Sequence, residues 1–322
     1  FTPNHPFVGN TVYTVRIATT AAHPDTAYTN TLQQEYVSKF LTKSYDTLKL
    51  LATSPAKGDE TTLKPVFQLL FDSKLESGEC MDRIYVMDER DSILDKAART
   101  QEWNKAGDYG TYKFDVTADL VEGKKYRLVI EEYVQNRDGI TVREKREIPF
   151  IAVNFTEPLL EKAVDCATAV FAYNATNSEG VSKAKVAVDS KTNKLFKAAN
   201  KFTYTFAAVE EAVVEYTLST PVLVENGTEL TMPLKGDFTH NTLQFKYVNE
   251  DASDSVVVDA LTLNSFNWNF YNVKVADLPT DDKKWYLTAM LVEKTGHPAN
   301  KFDGEFYLEN IYFGSYNKVA TE

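Results

Sequence analysis

The sequence predicts an all-β protein made of two β-sandwich domains, jelly-roll or immunoglobulin-like, with one helix in the N-terminal half. Three observations carry this. Eighteen Tyr and nineteen Phe accompany many Val and Thr, residue types that suit the pleated, half-buried surface of a strand. Short runs of these residues recur along the chain, separated by turn chemistry such as Glu122-Gly123 and Arg137-Asp138-Gly139, and regular short strands with few helices are the pattern of a sandwich. The 322 residues exceed what one hydrophobic core usually serves, which favours two domains.

Val12, Tyr13, Val15 and Ile17 make the first expected strand, bounded by Gly9-Asn10 and by Ala21 to Asp25. From Thr31 to Thr53 the pattern changes. Leu32, Tyr36 and Phe40, then Val37, Leu41, Tyr45 and Leu48, recur every three or four residues, the spacing of one helical face. A helix is expected over 31–53, with Asn30 as N-cap and Ser54-Pro55 as its stop. Strands follow at Leu63 to Phe71, Arg83 to Met87, Tyr112 to Val116, Tyr126 to Tyr133 and Arg143 to Phe150.

Glu157 to Lys201 is a shift in composition, Ala-rich and then Ser-, Asn- and Gly-rich around Tyr173 to Gly180. The domain boundary is placed near residue 155: a first sandwich over 1–155, a connecting segment with the first strands of the second domain over 156–201, and a second sandwich over 202–322. That sandwich is expected to use Phe202 to Phe206, Val213 to Leu218, Leu243 to Val248, Ser255 to Leu263, Trp268 to Val275, Trp285 to Val292 and Glu305 to Phe313. The run from Tyr112 to Tyr126 parallels that from Phe270 to Trp285, each a strand, a charged turn and a second strand. This reads either as a faint internal repeat or as one device used twice.

Composition excludes several function classes. The formal charge is −11, and Lys and Arg are scattered, with no stripe to neutralise phosphates, so nucleic acid is not an expected partner. No apolar run reaches the roughly 18 to 20 residues that cross a bilayer. The first residue is Phe1, which suits a mature chain after removal of a signal peptide and a trimmed fragment equally well. Cys80 and Cys166 are too few for a disulfide framework and form no CxxC pair, so two buried free thiols are preferred over a bond between them. Three N-x-S/T tripeptides, at Asn154, Asn174 and Asn226, are no more than the content of Asn, Ser and Thr gives by chance.

No catalytic motif is present. His5, His23, His240 and His297 are far apart and none stands in HExxH, which removes the usual zinc sites. There is no GxSxG elbow, P-loop or GxGxxG, and neither Cys has a His beside it. A glycosidase needs only two carboxylates at a suitable separation, which sequence does not reveal, but the reading remains non-enzymatic. No cofactor is expected. Asp251, Asp254, Asp277, Asp281 and Asp282, with Glu250 nearby, read as solvated loop charge in preference to a structural calcium site, since their spacing matches no EF-hand loop.

From about Phe202 onward the chain resembles the jelly-roll, carbohydrate-binding-like domains at the C-terminal ends of Bacteroidetes-type surface and glycan-processing proteins. The residues that carry this are Gly236-Asp237, the segment Trp268 to Leu278, and the closing Gly304-Glu-Phe-Tyr-Leu-Glu-Asn-Ile-Tyr-Phe313, with Glu309 where that family more often has Asp. Residues 1–155 resemble nothing recognised. The resemblance implies an extracellular or cell-surface protein whose partner is a glycan or surface polysaccharide. Strand alternation puts Trp268 and Phe270 on one face and Asn267, Asn269 and Tyr271 on the other. If the first pair faces the core, Asn267, Asn269, Tyr271 and Trp285 form the expected ligand platform; the competing reading packs all these aromatics inside. The alternative function is a structural subunit of a surface fibre, sheath or virus particle, self-associating through sandwich contacts or through exchange of the N-terminal strand within Phe1 to Ile17.

Overall fold

The computed structural model describes residues 7, 11–21, 31–42, 47–76, 78–104, 109–280, 282–300 and 302–316. Two strands come first, β1 (Val12–Ile17) and β2 (Tyr36–Leu41). The first sandwich then contributes β3 (Leu50–Ser54), β4 (Glu60–Thr61), β5 (Phe67–Phe71), the single helical turn α1 (Glu79–Asp82), and β6 (Ile84–Met87). It closes with β7 (Lys96–Asn104), β8 (Tyr109–Val116), β9 (Lys125–Ile130) and β10 (Arg146–Ala152).

The second sandwich opens with β11 (Lys162–Asp165), β12 (Phe171–Glu179), β13 (Val181–Asp189) and β14 (Ala199–Phe206). It continues with β15 (Val213–Val224), β16 (Glu229–Lys235), β17 (Thr242–Asn249) and β18 (Ser255–Thr262). The last four strands are β19 (Trp268–Lys274), β20 (Trp285–Glu293), β21 (Asp303–Leu308) and β22 (Asn310–Phe313).

The all-β expectation holds, and the helix over 31–53 does not form. Its described residues give β2 and β3 instead. Asn30 and Tyr45 lie outside the described residues. Tyr36, Val37 and Phe40 are branched or aromatic residues that lose side-chain freedom against a helical turn, and β2 finds a strand to pair with. It runs antiparallel to β1 from Val12↔Leu41 to Ile17↔Tyr36, and the rings of Tyr13 and Phe40 stack at 5.8 Å. The ribbon is a sheet of its own. Apolar side chains are exposed on both faces, Val12 (61%) and Leu41 (65%) on one and Ile17 (42%) and Tyr36 (55%) on the other.

In the first sandwich, the sheet β3-β5-β8-β7 faces β4-β10-β9-β6. Phe67, Phe114 and Tyr112 from one sheet meet Phe150, Leu128 and Ile84 from the other. The Phe67 and Phe150 rings lie 5.5 Å apart across the gap. In the second, the sheet β11-β22-β16-β21-β14-β13, with β19 on the free side of β16, packs on β12-β15-β20-β17-β18. Phe202, Tyr216, Phe245, Leu287 and Phe306 form its centre. One core draws on residues between Leu48 and Ala152 and the other on residues between Val164 and Ile311. The two similar stretches seen in the sequence are both crossovers, since β8 to β9 and β19 to β20 each pass from one sheet to the facing one.

β5 is buried at all five positions, because it has a partner on each face. Leu69 and Phe71 enter the first core. Leu70 points the other way and packs with Phe238 and Ala299 of the second sandwich. Polar contacts complete this junction. The Asn267 side chain accepts from Val66 N–H (2.8 Å), donates to Val66 C=O (3.0 Å) and reaches Ser54 Oγ (3.3 Å), while Phe266 N–H donates to Ser54 Oγ (2.8 Å). Cys166 is a buried free thiol, so it is not bonded to Cys80.

Candidate binding cleft

Alternation along the seven-stranded sheet sends Leu230, Met232 and Leu234 of β16, and Phe306 and Leu308 of β21, into the core. Lys235, Glu305 and Tyr307 therefore project outward, with Thr203 and Thr205 of β14 and Lys183 and Lys185 of β13 beside them. There the outer face holds a cleft of about 630 Å³, walled on one side by Phe266 from the domain junction.

The groups in it are fixed in orientation. Asp189 accepts from the backbone N–H groups of Lys191, Thr192 and Asn193 and from the Thr192 hydroxyl, which ties down the loop after β13. Asn193 then donates from Nδ2 to the Tyr307 hydroxyl (3.1 Å) and accepts at Oδ1 from Lys235 Nζ (2.9 Å). The Tyr307 hydroxyl donates in turn to Glu305, whose other oxygen pairs with Lys201 at 2.6 Å. Burial together with that bond to Glu305 pushes the Tyr307 phenol up to about 12. Burial also pulls the Glu305 carboxyl upward, but its bonds to Lys201 and Tyr307 and the charges of Lys201 and Lys235 outweigh it and leave the group below the ordinary carboxylate range.

Lys235 is the exception to this mutual satisfaction. Its ammonium sits 5.7 Å from the ring centres of both Phe266 and Tyr307, and burial holds it below the usual lysine range. Among the described residues its one hydrogen-bond acceptor is Asn193, and no carboxylate lies within ion-pairing distance.

The cleft's edge is a closed polar cluster. Asp237 accepts from the Tyr204 hydroxyl (2.8 Å) and from the Thr239 N–H and hydroxyl, and Asn241 donates to Tyr204 Oη (2.9 Å). Burial raises the Asp237 carboxyl despite these donors. The loop carrying it bends through two left-handed residues, Phe238 (φ 61°) and His240 (φ 59°), a conformation that costs a residue with a Cβ about 1–2 kcal/mol. Burial of Phe238 at the junction, and the stacking of His240 on His297 at 3.9 Å, hold it there. On the outer face of the five-stranded sheet, Glu215 is buried and fully engaged by Asn174, Asn177, Thr217 and Lys246.

The four residues expected to form a platform are not brought together. Asn267 is 6% exposed and committed to the domain junction. Asn269 is buried and accepts from the next N–H. Tyr271 packs on the second core, half-buried. Trp285 is 3% exposed and belongs to the other sheet, where it lines a separate cleft with Leu278 and Phe313. The faces of β19 are the reverse of the expectation: Tyr271, Val273 and Val275 face the core, while Phe270 lies under Phe155, Phe196 and Tyr316. Alternation reveals which residues share a face, but these covers come from distant parts of the chain.

Lys235, Asn193 and Tyr307 were not singled out by sequence. The nearest signal was the resemblance itself, since Gly236-Asp237 and the closing run from Gly304 border the cleft. Among the described residues no group of three His, Cys, Asp or Glu is placed to hold a metal ion. Asp251 is bonded to Ser253 and Lys283, and Asp281 lies outside the described residues.

The fold and cleft define a two-domain β-sandwich protein. No family model matches the chain, and no curated protein does. Among solved structures it is similar to a carbohydrate-binding module of the β-sandwich superfamily, at 14% identity and a TM-score of 0.35, covering 84% of this chain and 100% of the other. The family 11 carbohydrate-binding module of a cellulosomal cellulase from Clostridium thermocellum is 12% identical, with a TM-score of 0.34 and coverage of 52% and 100%. The N-terminal part of the bacterial S-layer protein SbsC is 12% identical, at 0.27, with coverage of 54% and 41%. Likeness this distant says nothing of ligand or assembly, which are read below from the chain's own residues.

Proposed function

We propose that this chain is a non-catalytic, extracellular or cell-surface glycan-binding protein that takes its ligand in the cleft bordered by Lys235, Asn193, Glu305 and Tyr307. The observation that carries the reading is a roomy, preorganised recess on the outer face of the seven-stranded sheet, lined by donors and acceptors whose directions are already set. Sugar hydroxyls need such fixed partners, and preorganisation lowers the entropic cost of binding. The Asp237 carboxyl is held by three donors from its own surroundings, which suits a structural role better than proton transfer to a substrate. No helix among the described residues is long and apolar enough to cross a membrane.

Affinity electrophoresis on a polysaccharide panel is the test. Retardation is expected on at least one member, with Asn193→Ala weakening it roughly tenfold, on the order of one to two hydrogen bonds, at an unchanged melting midpoint. No retardation anywhere, or retardation indifferent to Asn193→Ala and Tyr307→Phe, defeats the reading. Release of reducing ends during incubation makes the protein an enzyme instead.

One observation favours a second reading, a subunit of a surface assembly. The β1–β2 ribbon carries apolar residues on both faces and, among the described residues, pairs with no strand of either sandwich, and a two-stranded sheet is marginal in water until something covers it. On this reading, sedimentation of the full chain shows assemblies that vanish when residues 1–42 are removed. A full chain that stays monomeric at high concentration rules it out.

A further inference from the structure

Lys235 and Lys113 approach the same aromatic ring from different domains. Lys113, on β8 of the first sandwich, places Nζ 4.1 Å from the Phe266 ring centre. Lys235, on β16 of the second, stands 5.7 Å from it. Each ammonium gains from the ring's negative face, but the two charges repel, and Lys113 contributes to holding the Lys235 ammonium below its ordinary range. Removing a charge from water is costly unless a counter-charge replaces the lost hydration. The fields of Glu305 and Asp189 offset part of that cost, but no carboxylate pairs with Lys235, because Glu305 is bound to Lys201 and Tyr307, Asp189 to the loop after β13, and Asp237 to Tyr204 and Thr239. Lys183 and Lys185 add further positive charge to the same cleft, in a chain whose formal charge is −11.

We propose that the cleft's ligand is an acidic saccharide, with the carboxylate of a uronic acid residue seated against Lys235, within the field of Lys113, and its ring hydroxyls meeting Asn193 and Glu305. This rests on the glycan-binding reading and narrows it. A carboxylate suits the site because Lys235 has ammonium donors left after Asn193 takes one. The anion would also relieve the repulsion between lysines from the two sandwiches, so ligand binding would draw on both domains.

The test is titration calorimetry on the full chain with four probes: oligogalacturonate, oligoalginate, carboxyl-reduced oligogalacturonate and dextran sulfate. At least one uronate is expected to bind, the reduced oligosaccharide at least about tenfold more weakly, and dextran sulfate no more tightly than the reduced form. Lys235→Gln should weaken uronate binding about tenfold and Lys235→Arg less than about threefold. Lys113→Gln, in the other domain, should weaken it by about threefold and guards against a folding defect at position 235. Equal binding of the acidic and reduced forms, or tighter binding of dextran sulfate, overturns the carboxylate assignment and leaves glycan binding standing. Failure with both uronates while a neutral polysaccharide retards the chain does the same. Failure with every glycan removes both readings.

Discussion

Asn267→Ala is expected to uncouple the two sandwiches. The Asn267 amide meets Val66 as another strand would, accepting from its N–H and donating to its C=O, while Nδ2 also reaches Ser54 Oγ. Alanine leaves the Val66 N–H and C=O without these partners at a site that the junction shields from water. A buried polar group stripped of its partner costs about 1–3 kcal/mol, so two of them bring the loss to roughly 3 kcal/mol. The apolar part of the junction, Leu70 with Phe238 and Ala299, remains. The expected calorimetric result is a separation of the two domain transitions, with the less stable one moving to lower temperature. Asn267→Asp should do no better, since it keeps an acceptor for Val66 N–H but turns a carboxylate oxygen toward the Val66 carbonyl. A variant that melts as the parent does, in a trace of the same shape, would show that the amide does not join the domains.

Gly304→Ala is expected to cost about 3 kcal/mol, the upper range for a forced overpacking in a closed site. A Cβ on Gly304 would stand 2.0 Å from Tyr204 Cζ, 2.2 Å from its hydroxyl and 2.5 Å from Asp237 Oδ2. The Tyr204 ring has nowhere to go: it is buried, lies 4.9 Å from the Phe206 ring, and its hydroxyl is shared between Asp237 and Asn241. The methyl group must break that cluster and leave the buried Asp237 short of a donor. Urea unfolding of Gly304→Ala, Tyr204→Ala and the double variant tests the cause, because removing the ring removes the clash, so the double variant should lose less than the two singles together. A single variant within about 1 kcal/mol of the parent shows that the strand can move, and the steric account fails.

The all-β class was legible because aromatic and branched residues are spread through short runs, and strands such as Phe67–Phe71 and Trp285–Glu293 stand where those runs predict. Two kinds of element were not. The segment at 36–41 has apolar spacing that fits a helix as well as a strand, and only its pairing with β1 decides. β16 is not among the strands expected from sequence, and it contains Pro233, which has no N–H to give a ladder. In a strand the N–H and C=O of one residue point to the same side, and the Pro233 carbonyl accepts from Glu309 N–H. The missing N–H thus faces Glu309, where β21 ends and β22 begins, and it falls in a gap in the ladder. The candidate cleft was less legible still. Lys235 is an ordinary lysine at the end of an apolar strand, and what sets it apart comes from Asn193, Phe266 and Tyr307, which only the folded sheet and the domain junction bring to it.

The seam of the second sandwich also sets an order of events during synthesis. β11 opens that domain and its partner is β22, the last of the described strands, and the Asn310 side chain accepts from Cys166 N–H across 144 positions. Closing so long a loop is slow, and contacts this distant in sequence are rewarded only after the intervening chain has been ordered. The first sandwich can close once Ala152 has left the ribosome, because its core ends there. The second must wait, with β11 holding an open edge, until β22 has emerged. During that interval the nascent protein is a finished domain trailing an unfinished one, and the strand awaiting its partner is the place where a chaperone would have most to shield.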